Sequence, residues 1–430
     1  MKRSFKRYFK GARIKTTRPF VKSSIFTQTH IDSGAWMKYD YDVLIAGAGP
    51  AGSAAAKALA QKGLKVLLID RKAFPREKVC GDGLTPGAVK LLNELEVFDF
   101  LEATQIYAIN AIRFVTPRLQ ALEVPFQSRH DKAGFLIIER RHLDHALLQS
   151  ALHSGARFLQ AEVSGVVRRQ GRICGVTIKK EKQVERLTAK LVIGADGAGS
   201  IVARSAGVPK IPPTHRFLAI RGYIKGFKTM EHAVEFIWTS ELKPGYFWIF
   251  PTGHNQANIG LGLPADLYQK KSINLKKHFF ELLNRPLLKE RILEDMAIDG
   301  LKAWPIPLAG LYKTPRVFDG AMLVGDAGYW VDPLSGEGIH NALKTGMIAA
   351  NVALEAFDVD DFSASFLRRY EAEAWKELGP VIRRSVWFVR GMRYAPWLLE
   401  SFFWFARHSQ GAFRRFFSHL STDFEFVLRD

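Results

Sequence analysis

The sequence predicts an α/β protein in which a nucleotide-binding domain is interrupted by an antiparallel sheet and followed by helices. Near the start, the apolar run Tyr41–Ala46 leads through glycines into an Ala-rich helix and a second apolar run that ends at Asp70, which is the pattern of a β–α–β unit. Residues 211–300 alternate aromatic and polar side chains, as antiparallel strands do. Buried-strand patterns at Leu191–Ile193 and Met322–Val324 lie on either side of that segment. The first domain is therefore expected to resume after the sheet.

These segments give the expected domain order. The nucleotide-binding domain is of the Rossmann type and discontinuous, and the sheet domain is expected to bind substrate. A basic N-terminal extension, expected to be disordered, and a helical C-terminal region complete the chain. The boundaries are 1–36 for the extension, 37–115, 136–210 and 301–360 for the nucleotide-binding domain, 116–135 and 211–300 for the sheet domain, and 361–430 for the helical region.

Length and composition indicate a globular protein of two domains. The 430 residues exceed what one simple core holds, and 47% of them are hydrophobic. No uncharged apolar run reaches the roughly eighteen residues of a membrane span, so no transmembrane helix is expected. The two cysteines, Cys80 and Cys174, predict no disulfide framework, which fits a reducing, cytoplasmic setting. We expect no metal site.

The chain is strongly basic. Lys and Arg total 62 against 42 Asp and Glu, a formal net charge of +20, which favours an anionic partner such as phospholipid headgroups, nucleic acid or an acidic protein. Residues 1–31 carry no acidic residue and no long apolar core, so they are not a secretory signal. They are a basic tail, an organellar transit peptide, or a stretch upstream of the true start at Met37, and composition leaves these alternatives open.

The turn Gly47-Ala48-Gly49-Pro50-Ala51-Gly52 follows the first strand and opens the first helix. Gly47 permits the tight turn, Gly49 lets the backbone approach a pyrophosphate, and Gly52 allows the helix to pack closely on the strand. The helix N-terminus adds unpaired N–H groups for phosphate, and Asp70 can accept hydrogen bonds from ribose hydroxyls. The unit therefore predicts a dinucleotide cofactor.

Two further glycine turns, 194–200 and 325–328, each follow an apolar strand and contain an aspartate, Asp196 or Asp326. An aspartate there can hold a sugar or ribityl hydroxyl, or it can be a turn or helix-cap residue. Three such turns separated by long insertions fit FAD better than NAD, because FAD is long and must be held at several points. The glycines at 336–338, before another helix, can present N–H groups to N1 and the C2 carbonyl of reduced flavin.

On these motifs the sequence resembles the geranylgeranyl reductase family, within the para-hydroxybenzoate hydroxylase-like fold of FAD enzymes. The resemblance runs from about Tyr41 to about Ala356. Most of the motifs that carry the resemblance are shared by many related flavoenzymes, whereas the aromatic element that begins at Tyr246 is specific to the family. The matching segments are 75–84 (PREKVCGDGL), 194–200, 325–339 and, as the specific element, Tyr246-Phe247-Trp248-Ile249-Phe250-Pro251 with Gly260-Leu261-Gly262.

The resemblance implies an FAD site. Arg140 starts a predicted helix, where it either meets the cofactor or is a solvated helix-end cation. Cys80 is the candidate catalytic residue, as a proton donor or a redox-sensitive thiol, with simple packing as the alternative. The positions that fall at family FAD contacts are Ala51, Asp70, Cys80, Gly81, Gly83, Arg140, Val163, Asp326, Gly338 and Ile339, in addition to the turn glycines Gly47, Gly49 and Gly52.

Aromatic side chains form two further patterns. Tyr246, Trp248 and Phe250 alternate along one strand and share one face, which either lines an apolar groove for substrate or belongs to the core. Residues 383–419 combine seven arginines with many aromatics and a single acid, Glu400. That composition suits an anionic membrane surface, with rings at headgroup depth and guanidinium groups on phosphates, and a helix pair packed on the FAD domain would also explain it.

The function that the resemblance implies is reduction of carbon–carbon double bonds in an isoprenoid lipid, with a hydride from reduced FAD and a proton from a donor that the sequence does not identify. The sequence has no second strand–glycine–helix unit for a nicotinamide domain, so the reductant is transiently bound NAD(P)H or an electron-donor protein. The protein is expected to be cytoplasmic and peripheral to a membrane, without a nucleic-acid partner.

Two alternatives remain at this stage. One is a flavin monooxygenase or halogenase of the same fold, although a halogenase is expected to carry Trp-x-Trp-x-Ile-Pro where this chain has Tyr-x-Trp-x-Phe-Pro. The other is a polyanion-binding protein that keeps FAD for structure. The basic ends of the chain favour it, whereas the glycine turn at 336–338, on the flavin side, does not.

Overall fold

The computed structural model describes residues 38–394, apart from 119, 126, 129–133, 182, 243–244 and 271–272, together with 401, 404, 408–409 and 424–425. The basic extension expected at 1–36 lies outside the described residues. So does most of the arginine- and aromatic-rich stretch beyond residue 394.

Strands and helices alternate along the described chain. The strands are β1 (Tyr41–Ala46), β2 (Val66–Asp70), β3 (Gly83–Leu84), β4 (Tyr107–Ile109), β5 (Ala111–Val115), β6 (Ala121–Pro125), β7 (Gln127–Ser128), β8 (Phe135–Ile137), β9 (Arg157–Gln160), β10 (Glu162–Arg169), β11 (Arg172–Lys180), β12 (Gln183–Gly194), β13 (Arg216–Phe227), β14 (Ala233–Ile237), β15 (Tyr246–Gly253), β16 (Gln256–Pro264), β17 (Ile292–Pro307), β18 (Val317–Phe318), β19 (Ala321–Leu323) and β20 (Phe424–Glu425). The α-helices are α1 (Pro50–Ala60), α2 (Pro86–Glu94), α3 (Arg140–His153), α4 (Ile201–Ala206), α5 (Ala265–Lys270), α6 (Leu275–Leu283), α7 (Pro286–Lys289), α8 (Ile339–Val359) and α9 (Ala364–Tyr394).

The first main sheet carries the predicted β–α–β unit. Its strand order is β10-β11-β12-β1-β2-β9, with β19 paired to β12 and β18 paired to β19. Neighbouring strands are parallel from β19 through β12, β1 and β2 to β9, whereas β11 runs antiparallel to β10 and β12. The strands β1, β2 and β19 are buried, which explains their nearly unbroken apolar sequences. Their carboxyl ends meet at one edge, where sheets of this kind bind ligands.

Helices α1, α8 and α9 pack together beside this sheet. A Cβ placed on Gly346 of α8 would lie 2.3 Å from the carbonyl oxygen of Ala51, so the α1–α8 crossing is tight. The Tyr370 hydroxyl of α9 accepts a hydrogen bond from Trp330 Nε1 (2.9 Å) and donates one to the carbonyl of Leu323 (2.7 Å). These contacts join α9 to the last parallel strand in one core.

The second main sheet has seven strands in the order β17-β13-β16-β15-β14-β5-β6. Its neighbouring strands are antiparallel, as predicted, except for β5 and β14, which are parallel. Residues 111–115 and 301–307 belong to this sheet by strand pairing, although the sequence assigned them to the nucleotide-binding domain. Their partners β14 and β13 are remote in sequence, which a local pattern does not reveal.

Two small sheets complete the strand pairing of the described chain. The small sheets are β3-β8-β4 and β7-β20. The expected helical C-terminal region is confirmed for α9, which contains Pro380. Among the described residues, no helix has the length and apolar character needed to cross a membrane. The predicted fold class, an α/β domain interrupted by a largely antiparallel sheet, is confirmed.

Gly346→Ala should destabilise the protein, although alanine favours helices. The new Cβ would meet the Ala51 carbonyl, so α1 and α8 would have to separate, and overpacking of this kind costs about 1–3 kcal/mol of unfolding free energy. The measurement is denaturant unfolding followed by circular dichroism. Gly379→Ala in α9 is the control, because the atoms nearest to its Cβ belong to the side chains of Arg383 and Trp375, which can shift. Equal destabilisation by both changes would contradict a tight crossing.

Candidate active site

A cavity of about 1090 Å³ lies at the carboxyl edge of the parallel strands. It continues past Cys80 and Gly81 to the second sheet, where Tyr223 and Trp304 line it. Of the predicted cofactor residues, Gly52 and Gly83 do not line this cavity. Those that do are Gly47, Gly49, Ala51, Asp70, Cys80, Gly81, Arg140, Val163, Asp326, Gly338 and Ile339.

Each glycine of the first turn has a distinct place. Gly47 has φ +99°, and a Cβ there would lie 2.3 Å from the carbonyl oxygen of Ala195. A Cβ on Gly52 would lie 1.9 Å from the carbonyl oxygen of Gly47, so Gly52 serves the packing of α1. The atom nearest to a Cβ on Gly49 is an Arg76 nitrogen at 3.7 Å, which leaves space at the N-terminus of α1. A phosphate fits that position.

Asp70 and Asp326 both face the cavity. Asp70 accepts hydrogen bonds from the N–H groups of Ala48 (3.2 Å) and Lys72 (3.0 Å), so it also holds the first glycine turn. The carboxylate of Asp326 lies beside Gly338, and no donor of the described protein hydrogen-bonds to it. A carboxylate in that position is available for a ligand hydroxyl.

Asp196 has a structural task instead. Its carboxylate accepts hydrogen bonds from the Ser200 hydroxyl and from the N–H groups of Ile201 and Val202, so it caps α4. Burial raises the pKa of this carboxyl. Of the two interpretations that the sequence left open for these aspartates, the helix cap holds for Asp196.

Arg140 and Arg76 form a buried cationic pair around Asp144. Arg140 donates two hydrogen bonds to the Asp144 carboxylate, from Nε (2.7 Å) and Nη2 (2.8 Å), and Arg76 Nη1 lies 3.0 Å from the same carboxylate. Burial acts to lower the pKa of Arg140, but the Asp144 carboxylate raises it above its ordinary value. Arg140 is therefore a buried, paired cation at the cavity wall and not a solvated helix-end residue.

Arg76 is a candidate that sequence reasoning missed. It lines the cavity beside Gly49, lies 3.5 Å from Asp70 as well as contacting Asp144, and stacks on the Phe74 ring at 4.6 Å. Its Nε is buried with no hydrogen-bond partner in the described protein. The only signal in the sequence was the place of Arg76 shortly after the second strand, inside the segment 75–84.

Cys80 is held at the cavity wall by the second sheet. Its carbonyl accepts hydrogen bonds from Arg221 Nε (2.9 Å) and Asn258 Nδ2 (2.7 Å). The backbone position is therefore fixed independently of the thiol, and a catalytic role for the thiol stays a prediction.

The aromatic strand β15 packs against glycines. A Cβ on Gly260 would come within 2.2 Å of the Trp248 indole across the strand pair, and Cβ atoms on Gly81 and Gly83 would lie 3.2 and 3.0 Å from the Phe250 ring. Trp248 and Phe250 are only 8% and 9% exposed, and neither lines the large cavity. They lie in the core behind the Cys-Gly segment, so their direct contact with substrate stays a prediction.

Tyr246 lines a second, smaller cavity of about 250 Å³ and does not line the large one. Its hydroxyl donates a hydrogen bond to the carbonyl of Ser335 (2.9 Å) and sits beside Gly336, which lines the large cavity. Apolar side chains dominate the smaller cavity. The apolar residues that line it, besides Tyr246, are Phe217, Pro264, Leu308, Leu311, Pro333, Leu334, Val389 and Met392. The polar residues that line it are Thr214, His215 and Arg390.

The loop before α8 lines a further part of the cavity. The buried Asp332 accepts hydrogen bonds from the N–H groups of Leu334 (3.0 Å) and Ser335 (2.9 Å), which fixes the loop. α8 begins after Gly338 without a side-chain cap, and Gly338 and Ile339 line the cavity. The first N–H groups of this helix are therefore left for another acceptor.

These features fit FAD. The open helix start at Gly49 and the nearby Arg76 guanidinium suit the pyrophosphate, the Asp326 carboxylate suits a ribityl hydroxyl, and the uncapped start of α8 at Gly338 suits the polar edge of the flavin. Asp70 remains the candidate for the adenosine ribose. The candidate partners of the phosphates, the sugar hydroxyls and the flavin edge all line one cavity.

Asp326→Ala should weaken FAD retention more than Cys80→Ala does. The first change removes a charged acceptor that faces the cavity, which weakens binding by about tenfold or more, whereas the second keeps the backbone carbonyl that anchors the segment. Flavin absorbance per folded protein after gel filtration measures the difference. Equal flavin content in both variants contradicts the ranking. Retained FAD with lost alkene reduction in Cys80→Ala would support a catalytic thiol.

Comparisons with known proteins agree with this geometry. Residues 40–377 match the family model described as FAD binding domain. The chain is 35% identical over 347 residues to digeranylgeranylglycerophospholipid reductase 2 of Methanopyrus kandleri, which covers 79% of this chain and 83% of the relative. A solved geranylgeranyl bacteriochlorophyll reductase-like protein from Thermoplasma acidophilum matches with a TM-score of 0.73 and 27% identity, over 81% of this chain and 87% of that one.

Halogenases share the architecture at lower identity. A flavin-dependent brominase, Bmp2 in a triple-mutant form, matches with a TM-score of 0.72 over 88% of this chain and 94% of its own, but it is 21% identical, which shows a common fold alone. The match to the reductases and to the FAD binding domain confirms the predicted family and cofactor. The chain is an FAD-dependent oxidoreductase that belongs to the geranylgeranyl reductase family.

Proposed function

We propose that this protein reduces carbon–carbon double bonds in the isoprenoid chains of a glycerophospholipid. The observation that carries the proposal is the apolar cavity lined by Tyr246, whose hydroxyl lies beside Gly336 of the predicted FAD cavity. The Methanopyrus kandleri relative is named for digeranylgeranylglycerophospholipid, a lipid of this class. An isoprenoid chain offers no polar groups, so a binding site for it must be lined by apolar side chains.

The residues of the chain would position the double bond and exclude water. Tyr246 is tethered through Ser335 to the loop before α8, so the boundary between the two cavities is held at a constant place relative to the predicted flavin site. FAD, once reduced, supplies the hydride for a reaction of this type. Transiently bound NAD(P)H or an electron-donor protein is our proposed source of the electrons.

An anionic membrane surface is the proposed location of the reaction. Arg383, Trp387 and Arg390 of α9 are exposed, Trp387 by 77%, and their spacing puts them on one stripe of the helix. Arg390 and Val389 also line the smaller cavity. Tryptophan and arginine together suit the headgroup region, so lipid bound by this stripe would lie near the opening that an isoprenoid chain must enter.

The reductase activity can be tested with digeranylgeranylglycerophospholipid in detergent and FAD-loaded protein reduced by dithionite. We expect the lipid mass to rise by about two units for each double bond saturated, because the flavin delivers a hydride and the site adds a proton. Mass spectrometry of the extracted lipid is the measurement. The matched control is oxidised protein without dithionite. Oxygen in the product would point to a monooxygenase, and an unchanged lipid would refute the proposed substrate.

Membrane binding should depend on the α9 stripe. Replacing Arg383 and Arg390 by alanine should weaken sedimentation with anionic liposomes by about tenfold or more at low salt, because each arginine near such a surface contributes roughly 1 kcal/mol. The matched control replaces the exposed Lys179 and Lys180 of β11, which removes the same charge from another part of the protein.

Equal losses in the two double variants would mean that net charge, and not the stripe, drives binding. Deletion of residues 1–36 separates the contribution of the basic extension, and binding that vanishes with that deletion alone would count against α9. The stripe is supported if the truncated chain still binds and loses binding when Arg383 and Arg390 are replaced.

A further inference from the structure

We propose that Asp82 and Tyr223 form the proton-delivery pair of this active site, in which Tyr223 gives a proton to the double bond and Asp82 replaces it. The inference rests on the proposed function and supplies the proton donor that the sequence left unidentified. Neither residue was among the predicted site residues. Both follow from hydrogen bonds that connect the Cys-Gly segment to the second sheet.

The pair connects a buried carboxyl to the cavity. Asp82 follows Cys80 and Gly81 and is fully buried. Its Oδ2 accepts hydrogen bonds from the Tyr223 hydroxyl (2.5 Å) and Asn258 Nδ2 (2.7 Å). Tyr223 lines the large cavity, whereas Asp82 does not, so Tyr223 is the member that can reach a ligand.

Two observations argue that Asp82 has more than a structural task. Its Oδ1 is buried and has no hydrogen-bond partner in the described protein, a feature that it shares with Asp332 Oδ2. Its backbone has φ +67°, a left-handed conformation that a glycine would adopt with less strain. A strained residue with an unsatisfied buried oxygen is typical of a functional site.

The surroundings keep both protonation states of Asp82 accessible near neutral pH. Burial raises the pKa of Asp82 to about 6, although Arg221, Tyr223, Asn258 and Arg140 each act to lower it. The ionisable groups that face the pair come from three places. They are Arg221 on β13, Glu139 and Arg140 at the start of α3, and Lys78 and Cys80 on the segment of Asp82 itself.

The proton step balances without a further reactant. Reduced FAD, when bound, would supply the hydride for one alkene carbon, and the other carbon would form its C–H bond with the hydroxyl proton of Tyr223. The carboxyl proton of Asp82 moves to the Tyr223 oxygen at the same time, which leaves Asp82 as a carboxylate that accepts from Tyr223 and Asn258. Before the next turnover a proton from the solvent in the cavity returns to Asp82 through the Tyr223 hydroxyl, the member of the pair that lines the cavity. Asp82 therefore acts through Tyr223 as a positioning and proton-supplying residue.

The first test is single-turnover reduction of digeranylgeranylglycerophospholipid by dithionite-reduced, FAD-loaded full-length protein across pH 5 to 9. We expect the wild-type rate to fall as pH rises through about 6, because the protonated pair is the active form. Asp82→Asn and Tyr223→Phe should each be slower by on the order of 10²-fold at pH 6, with flat pH profiles and unchanged flavin content. The control is Asp266→Asn, a buried aspartate of α5 that does not line the cavity.

A second measurement needs neither substrate nor cofactor turnover. The pKa of Asp82 is about 6 in the folded protein and 3.8 in the unfolded chain, so the folded state binds a proton more tightly. The contribution of Asp82 to the free energy of unfolding therefore decreases as pH rises from 3.8 to about 6. The melting temperature of Asp82→Asn relative to the wild type should therefore rise from pH 4 to pH 7, whereas that of Tyr223→Phe, which leaves the carboxyl in place, should follow the wild-type trend.

The outcomes separate the relay from the proposed function. If the wild type, Asp82→Asn and Tyr223→Phe all reduce the lipid at the same rate and with the same pH profile, the proton relay is wrong. The proposed function is unaffected by that result. If the wild type reduces no lipid, the proposed function is wrong. If, in addition, the difference in melting temperature between Asp82→Asn and the wild type does not change with pH, then Asp82 does not titrate near neutral pH. If only Tyr223→Phe keeps the wild-type rate, the route through Tyr223 is wrong.

Discussion

Arg221 joins the Cys-Gly segment to the second sheet. It lies in β13 with only 2% of its surface exposed, and it donates hydrogen bonds to the carbonyls of Cys80 (2.9 Å) and Lys78 (2.8 Å) while its guanidinium stacks on Tyr223 at 4.2 Å. A buried guanidinium is costly unless acceptors surround it. The segment 78–83 therefore cannot leave the second sheet without stranding a charge, and the two walls of the large cavity keep a constant spacing.

The parts of the site that depend on local backbone geometry were predictable from sequence. Gly47 and Gly52 lie where their spacing predicted, because a strand-to-helix turn of this tightness excludes any Cβ at both positions. The salt bridges among Arg76, Arg140 and Asp144 were not predictable, since they join residues of a loop and a helix that only the fold brings together. The same reason explains why the sheet boundaries at 115 and 301 were misjudged, as those strands pair with remote partners.

The family-specific aromatic element has a physical reason that its sequence alone does not reveal. Trp248 packs directly against Gly260 on the neighbouring strand, where any side chain larger than glycine would clash with the indole ring. The indole Nε1 then donates a hydrogen bond to Asn258 (3.0 Å), and Asn258 donates in turn to the Cys80 carbonyl. The element thus influences the cofactor side of the cavity through a chain of hydrogen bonds, even though Trp248 itself is buried in the core.

Ten basic and seven acidic residues line the large cavity, so the site accounts for only a small part of the net charge of +20. Arg76 and Arg140 share Asp144, and Asp70 lies 3.5 Å from Arg76. Arg390, in contrast, is an exposed cation on α9, and it lines the smaller cavity, whose other lining side chains are mainly apolar. On the proposed function, one helix would then both attract an anionic lipid surface and form the wall past which the isoprenoid chain enters. Binding to the membrane and access to the flavin would be coupled through that helix without a change in fold.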